Sequence, residues 1–551
     1  MIERKLLLGD EAVALGAIDA GISGVYAYPG TPSTEITEFI QAHAPEVRSR
    51  WCTNEKTAME AALGMSYAGK RALVCMKHVG MNVAADAFVN SAITGVNGGL
   101  VVLAADDPSM HSSQNEQDSR FYGKFAMIPI LEPSTQQEAY DMMAYAFQLS
   151  EEQKLPVLMR VVTRLAHSRA GVAVGEKKAQ NALNPDNERN HWVLLPAIAR
   201  RQYDALVGKQ SGLVASSEKS PFNKISLHKP KVVDAEVSVL FVSASTTVTK
   251  KSKLGVIACG IAYNYVMENN PGEKHISVLK VSQYPLPETA IKALAAECSE
   301  ILVAEDGQPL VEEQVRGLLG SDYKVKGRLT GDLPRTGELT PDNVGAALGV
   351  KLEKPYAAAQ NVVPRPPALC QGCGHRDVYN ALNEVAKEYA DARIFGDIGC
   401  YTLGALPPFR AIDSCVDMGA SITMAKGAAD AGVHPAIAII GDSTFTHSGM
   451  TGLLDAVNDK ANITVVISDN LTTAMTGGQD SAGTSKFEGI CLALGVEPEH
   501  VHVVVPLPKN MEEITRIIRQ ELDYKGVSVI IPRRECIQTL GRKLRKKKAE
   551  Q

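Results

Sequence analysis

The sequence predicts an α/β protein of several domains, each organised around a mainly parallel sheet. Three observations predict it. The chain has 551 residues, too many for one hydrophobic core. Short β-branched runs alternate with longer amphipathic stretches, the pattern of parallel strands joined by crossover helices. A polar stretch and a proline-rich stretch interrupt the alternation and divide it into three blocks.

The first block, residues 1–180, offers strands at "GVYAYPG", "RALVCMKHV", "GGLVVLAADDP" and "LPVLMRVVT". Residues 181–235 are polar and read as linker and loops around one helix, "LLPAIARRQYDAL". The second block, 236–355, carries "KLGVIACGIAYNYV", "HISVLKVS" and "SEILVAED". It ends at a Pro- and Ala-rich joint, "PYAAAQNVVPRPPA". The third block, 356–551, has strands near "ARIFGDIG", "PAIAIIGDS", "NITVVISDN" and "GVSVIIPRR".

Composition narrows the function classes. A net charge of -5 gives no nucleic-acid signal. No apolar run reaches about 18 residues, so no membrane span is expected. The start, "MIERKLLLGDEAVALG", does not read as a signal peptide. Ten scattered cysteines make no disulfide framework, and a cytoplasmic protein is expected.

The third block holds the clearest chemistry. Gly441-Asp442-Ser443 closes one strand, and Asp469-Asn470 closes the next after 25 intervening residues. Oxygen donors at neighbouring carboxyl ends can face one crevice, and such donors suit Mg²⁺ with diphosphate. A glycine at 441 permits close backbone approach. The competing reading is a pair of strand-terminating turns. The spacing resembles the thiamine diphosphate motif, GDG followed by an asparagine, with Ser443 in place of the third glycine. Such enzymes need a glutamate that meets the aminopyrimidine on another domain, and "WCTNEKTAME" offers Glu55. The competing reading is that Asn54 caps a helix whose dipole Glu55 complements.

Longer blocks carry a closer resemblance. "YPGTPSTEI", "NEKTAMEAALG", "KHVGMNVAADA", "ADDPSMHSSQNEQDSR", "PRPPALCQGCGHR", "GDIGCYTLGALPP", "GDSTFTHSGMTGLLDAV" and "DNLTTAMTGGQ" resemble the large subunits of indolepyruvate:ferredoxin oxidoreductases. These belong to the 2-oxoacid:ferredoxin oxidoreductase superfamily. The resemblance implies a multidomain thiamine diphosphate-binding fold. A pyrimidine-binding domain comes first, a transketolase C-terminal-like domain second and a diphosphate-binding domain third. It implies oxidative decarboxylation of an arylpyruvate, with CoA taking the acyl group and ferredoxin taking electrons. A small second subunit is implied, in an α2β2 assembly. Asp442, Asn470 and a carbonyl near Thr472 match the Mg²⁺ ligands, with Gly441, Ser443, Cys400 and Tyr401 around the cofactor. Glu55 matches its activator, and Thr31 a threonine near the substrate carboxylate. Lys77, His78, Asn82, His111 and Arg120 sit in similar blocks, where a cation would hold a carboxylate.

The "CxxCGH" motif, Cys370 to His375, resembles one that gives two thiolates to a [4Fe–4S] cluster in the superfamily. Cys400 matches a third ligand and Cys536 a fourth. Structural zinc is the chemical competitor, because four thiolates also hold Zn²⁺. The other six cysteines, Cys52, Cys75, Cys259, Cys298, Cys415 and Cys491, read as buried small hydrophobes. The sequence ends at "GRKLRKKKAEQ", about where the family commonly carries a ferredoxin-like tail. Electrons are therefore expected to leave through the cluster itself or through a partner. A non-oxidative 2-oxoacid decarboxylase and a catalytically silent scaffold are the competing functions. Intact Glu55, Asp442 and Asn470 disfavour the scaffold, and the four cysteines disfavour the decarboxylase.

Overall fold

The computed structural model describes residues 3–186, 188, 190–228, 252–270, 276–352, 357, 359–363 and 365–550. It divides into two compact units, Met1–Tyr356 and Ala357–Gln551. Every run expected as a strand contains strand residues in the structure.

The first unit holds a seven-stranded sheet. Its order is Gln283–Tyr284, Ile130–Leu131, Val157–Val162, Leu100–Asp106, Ala72–Lys77, Gly24–Ala27 and Arg48–Trp51. All neighbours run parallel except the Gln283–Tyr284 edge. The central strand Leu100–Asp106 is buried at every position, as a parallel sheet covered on both faces requires. The chain passes from Gly24–Ala27 to the Arg48–Trp51 edge, then returns to Ala72–Lys77 on the other side. That reversal is a topological switch point, and crevices form beyond the carboxyl ends of such strands.

A second, five-stranded sheet in the same unit runs Lys324–Lys326, Cys298–Ala304, Ser252–Cys259, Ser277–Val281 and Lys224–Ser226. Lys224–Ser226 comes from the segment expected as linker and joins antiparallel. The end of Arg4–Leu8 is clipped to the unit by pairing antiparallel with Arg169–Ala173.

The second unit is one six-stranded, wholly parallel sheet. Its order is Ser414–Cys415, Arg393–Gly396, Ala436–Gly441, Ile463–Ser468, Val527–Pro532 and Val501–Val504. Strand alternation divides its apolar side chains between two cores. Ile437 and Ile439 point into one, with Leu382 and Ile518. Ala438 and Ile440 point into the other, with Phe445 and Leu453. Each fully buried Ile, Leu or Phe contributes roughly 1.5–3 kcal/mol. The chain reverses between Arg393–Gly396 and Ala436–Gly441, so this sheet too has a switch point. Among the described residues no helix is long and apolar enough to cross a membrane.

Candidate active site

Each unit presents its expected site residues at the carboxyl edge of its own sheet. In the second unit, Asp442 follows the strand Ala436–Gly441 and is 3% exposed. Its Oδ1 accepts the Ser443 N–H at 2.7 Å and its Oδ2 the Thr472 N–H at 3.0 Å. Asn470, one strand over, turns its Oδ1 to the same Thr472 N–H at 3.2 Å. Two side-chain oxygens from adjacent strands therefore meet at one point. Burial, with a further push from Asp469, raises the Asp442 carboxyl to about 7. A carboxyl so disposed gains from a cation. Asp469 already has one, since Arg533 Nε donates to it at 2.6 Å. The donor set therefore fits a hard divalent ion at Asp442 and Asn470.

Gly441 has a reason of its own to be glycine. A Cβ there would stand 2.5 Å from the ring of Tyr401. Tyr401 and Cys400 follow the strand Arg393–Gly396, across the switch point. The Tyr401 hydroxyl donates to Asp397, whose other oxygen accepts the Ser421 hydroxyl at 2.7 Å. Burial raises the Asp397 carboxyl well above its ordinary range.

The four matched cysteines line one cavity. Cys370, Cys373, Cys400 and Cys536 share its wall with His375, Asp469, Asn470 and Arg534. Cys373 and Cys536 stand at the N-caps of the helices Gly374–Ala386 and Ile537–Ala549, and Cys400 opens a 3₁₀ turn. Burial raises the Cys373 thiol above its ordinary range. Burial pushes the Cys400 thiol up to about 12, and each of the other three cysteines adds to that shift. A metal ligand must pay that deprotonation back. Among the described residues, no three of these sulfurs come within 4.8 Å of one another. A single zinc at ~2.3 Å from four thiolates would draw them to roughly 4 Å. Cys370 is exposed, and Gln538 Nε2 reaches its sulfur at 3.6 Å. Of the other six, Cys415 is exposed and Cys52 half-buried, so they are not all buried hydrophobes. Cys415 ends a two-residue strand at the edge of its sheet.

His375 had no assigned role in the sequence. It is buried, is held down to about 4 by desolvation, and lies 3.5 Å from Asn470. It therefore stands between the thiols and the metal motif. Its place in "CQGCGHR" was the available signal.

In the first unit, Thr31, Glu55 and His78 follow the carboxyl ends of neighbouring strands, and Lys77 is the last residue of one. Glu55 opens the helix Glu55–Tyr67 and is 4% exposed. Asn54 does the capping, accepting the Thr57 N–H at 2.9 Å. The Glu55 carboxylate leans on Gly80, where a Cβ would sit 2.7 Å from its Oε1. Thr31 is half-buried, and its neighbour Gly30 packs against Lys77, 3.1 Å from where its Cβ would be. Lys77 Nζ donates to Ser112 O at 2.7 Å, and burial lowers its pKa to about 8. His78 Nε2 lies 3.2 Å from both Asn115 oxygens, so that nitrogen carries the proton. Residues 107–118 thus cover Lys77 and His78.

Arg120 departs from expectation. It is wholly buried, with Asp118, Glu132 and Glu305 around its guanidinium at 2.5, 3.7 and 3.0 Å. Arg160 adds Asp106 at 2.5 Å to the same network. With three carboxylates in place, Arg120 has no free edge for a substrate. Asn82 accepts from the Tyr122 hydroxyl, and His111 lies 3.3 Å from Glu338 at the surface.

Comparison with known proteins agrees with this architecture. Residues 15–210 match the family "Pyruvate flavodoxin/ferredoxin oxidoreductase, thiamine diP-bdg". Residues 397–531 match "Thiamine pyrophosphate enzyme, C-terminal TPP binding domain". The indolepyruvate oxidoreductase subunit IorA of Archaeoglobus fulgidus is 38% identical, over 97% of this chain and 86% of its own. That of Pyrococcus abyssi is 37% identical, over 97% and 86%. The chain belongs to the indolepyruvate oxidoreductase subunit IorA family. The IorA family is thiamine diphosphate-dependent, and this member carries both thiamine-binding domains. A solved 2-oxoglutarate:ferredoxin oxidoreductase from Magnetococcus marinus aligns with a TM-score of 0.50 at 15% identity. It covers 63% of this chain and 65% of its own, a likeness of fold alone.

Proposed function

We propose that this chain is the large subunit of an arylpyruvate:ferredoxin oxidoreductase. The reaction converts a 2-oxoacid such as indolepyruvate or phenylpyruvate, with CoA, to CO₂ and an acyl-CoA. The carbon–carboxylate bond breaks, a carbon–sulfur bond forms, and two electrons leave one at a time for ferredoxin. The names of the relatives support the substrate class. The redox half rests on one observation, the four cysteines around a single cavity bordered by Asn470. Four soft thiolate donors on one cavity are a ligand set for a [4Fe–4S] cluster.

Thiamine diphosphate, when bound, supplies a nucleophilic thiazolium carbon that keeps the electron pair left by departing CO₂. Asp442, Asn470 and the Thr472 carbonyl would hold the Mg²⁺ of its diphosphate, with Ser443 beside them. Tyr401 and Cys400 shape the floor of that crevice. Glu55 holds and passes a proton at the aminopyrimidine N1′, protected from water by its burial. Thr31 and protonated Lys77 bind the substrate carboxylate, and His78, through Nε2, holds the covering segment at Asn115. The proposed domains are 1–180, 236–355 and 356–551, with 181–235 between the first two. A small second subunit is proposed, in an α2β2 assembly in the cytoplasm.

Anaerobic purification tests the reading. About four irons and four sulfides per chain are expected, with ferredoxin reduced only when 2-oxoacid and CoA are both present. Colourless, iron-free protein that released aldehyde would instead mark a non-oxidative decarboxylase.

A further inference from the structure

The first unit carries a second group of metal-ligating side chains, apart from every residue used above. Asp10, Glu35 and His167 come from three separate segments. Asp10 is the second residue of the helix Gly9–Asp19, and Glu35 the second of Thr34–His43. His167 follows the short helix Thr163–Ala166. One ligand atom from each lies within 4.8 Å of the other two.

The backbone forces this meeting. Gly9 packs so tightly on the Thr163–Ala166 turn that a Cβ would fall 2.1 Å from Leu165 O. Its N–H donates to Ser168 O at 3.2 Å, one residue beyond His167. Asp10 is therefore carried to His167 by a contact that only glycine permits.

Asp10 is the independent observation that something is missing. It is 0% exposed, yet neither oxygen has a hydrogen-bond partner. Even the free amides of its own first turn do not engage it. Its helix neighbour Glu11 is otherwise occupied, accepting from Leu8 N at 2.8 Å and Arg169 at 3.2 Å. Glu35 Oε2 makes no hydrogen bond and instead forms an ion pair with His167 Nε2 at 3.6 Å. That gap is long for a hydrogen bond. It is close to the roughly 3.4 Å between donors that share a tetrahedral ion at ~2.1 Å. Burial raises the Asp10 carboxyl well above its ordinary range, and a bound cation would favour its ionised form.

We propose that Asp10, Glu35 and His167 bind one divalent transition-metal ion of the zinc class. Imidazole with two carboxylates is a donor set for such ions, and water would complete the coordination. Asp10 forms the floor of the site. Glu35 and His167, 38% and 34% exposed, form a mouth through which an ion can reach it. The ion would tie two helix starts to the turn after Ala166. It would also fix the start of the helix that follows Thr31. It is a clamp, with no part in the thiamine chemistry.

The test uses the full chain, stripped with a chelator and dialysed against buffered Zn²⁺. Metal per chain is counted by mass spectrometry for the parent, Asp10→Asn and His167→Gln. The cysteines also take zinc, but equally in all three proteins. The parent is expected to hold one zinc more than either variant, and zinc is expected to raise its Tm more than theirs. His167 is a surface residue, so its variant tests binding without disturbing the core. Equal zinc content in all three proteins overturns the proposal. So does an Asp10→Asn protein that melts above the parent with and without zinc, because Asp10 is then a protonated core residue.

Discussion

At the scale of single residues, Asn54 and Glu55 separate structure from chemistry. Asn54 caps the helix, so Glu55 is free to differ without unwinding it. Glu55→Gln is expected to lower kcat by about 10²–10⁴ while leaving the melting temperature nearly unchanged. Steady-state rates beside a thermal melt check this, and a large fall in Tm would mark Glu55 as structural. Lys77 makes a pH prediction. Burial lowers its folded pKa to about 8 from an ordinary 10.5. Between those values the unfolded chain binds the extra proton, so this residue's contribution to stability rises with pH. It is complete above 10.5 and lost as pH falls through 8. Activity runs the other way. If the protonated amine holds the substrate carboxylate, kcat/KM falls above about pH 8, and Lys77→Arg keeps it level. A wild-type profile flat to pH 9 would remove Lys77 from binding. Motifs singled out Asp442 and the four cysteines, and the structure gathers those cysteines around one cavity. Arg120 was not legible, because an arginine in a family-like block reads the same whether it faces substrate or three buried carboxylates.

Secondary-structure elements explain both what was legible and what was hidden. Strands such as Ala436–Gly441 are continuous apolar runs, and nothing else of that length and flanking fits them. The strand Gln283–Tyr284 has two residues and no periodicity to read, yet it completes the edge of the seven-stranded sheet. Its Tyr284 hydroxyl donates to Glu132 at 2.7 Å, beside Arg120. Removing Arg120 leaves Glu305 buried without its cation and leaves Asp118 and Glu132 with Arg160 alone. Arg120→Ala is therefore expected to cost about 3–5 kcal/mol, measured by denaturant unfolding. A loss of activity at unchanged stability would return Arg120 to the substrate. The cysteine helices make a matching prediction. The Cys536 N–H bonds Asn470 O at 3.0 Å, so the cap that positions this thiol also touches the metal motif. Cys536→Ala is expected to lose iron, whereas Cys415→Ala keeps it. Full iron in Cys536→Ala would require a different fourth ligand.

At the scale of the whole molecule, the two compact units divide the chemistry between them. Glu55, Thr31 and Lys77 belong to Met1–Tyr356, and the metal motif with all four cysteines belongs to Ala357–Gln551. The second unit has a complete six-stranded sheet of its own and an apolar core on each face. It is also of domain size, large enough to bury the surface a stable fold needs. On the proposed reading, its four cysteines lie within this unit and Glu55 lies in the other. Residues 357–551 expressed alone are therefore expected to fold cooperatively and to hold the same iron per chain as the full protein. They are expected to show no 2-oxoacid turnover at any thiamine diphosphate concentration. Circular dichroism melts, iron analysis and a ferredoxin-reduction assay on one preparation read all three. Turnover by the isolated unit would displace Glu55 from its role. A folded unit without iron would place a cluster ligand outside residues 357–551.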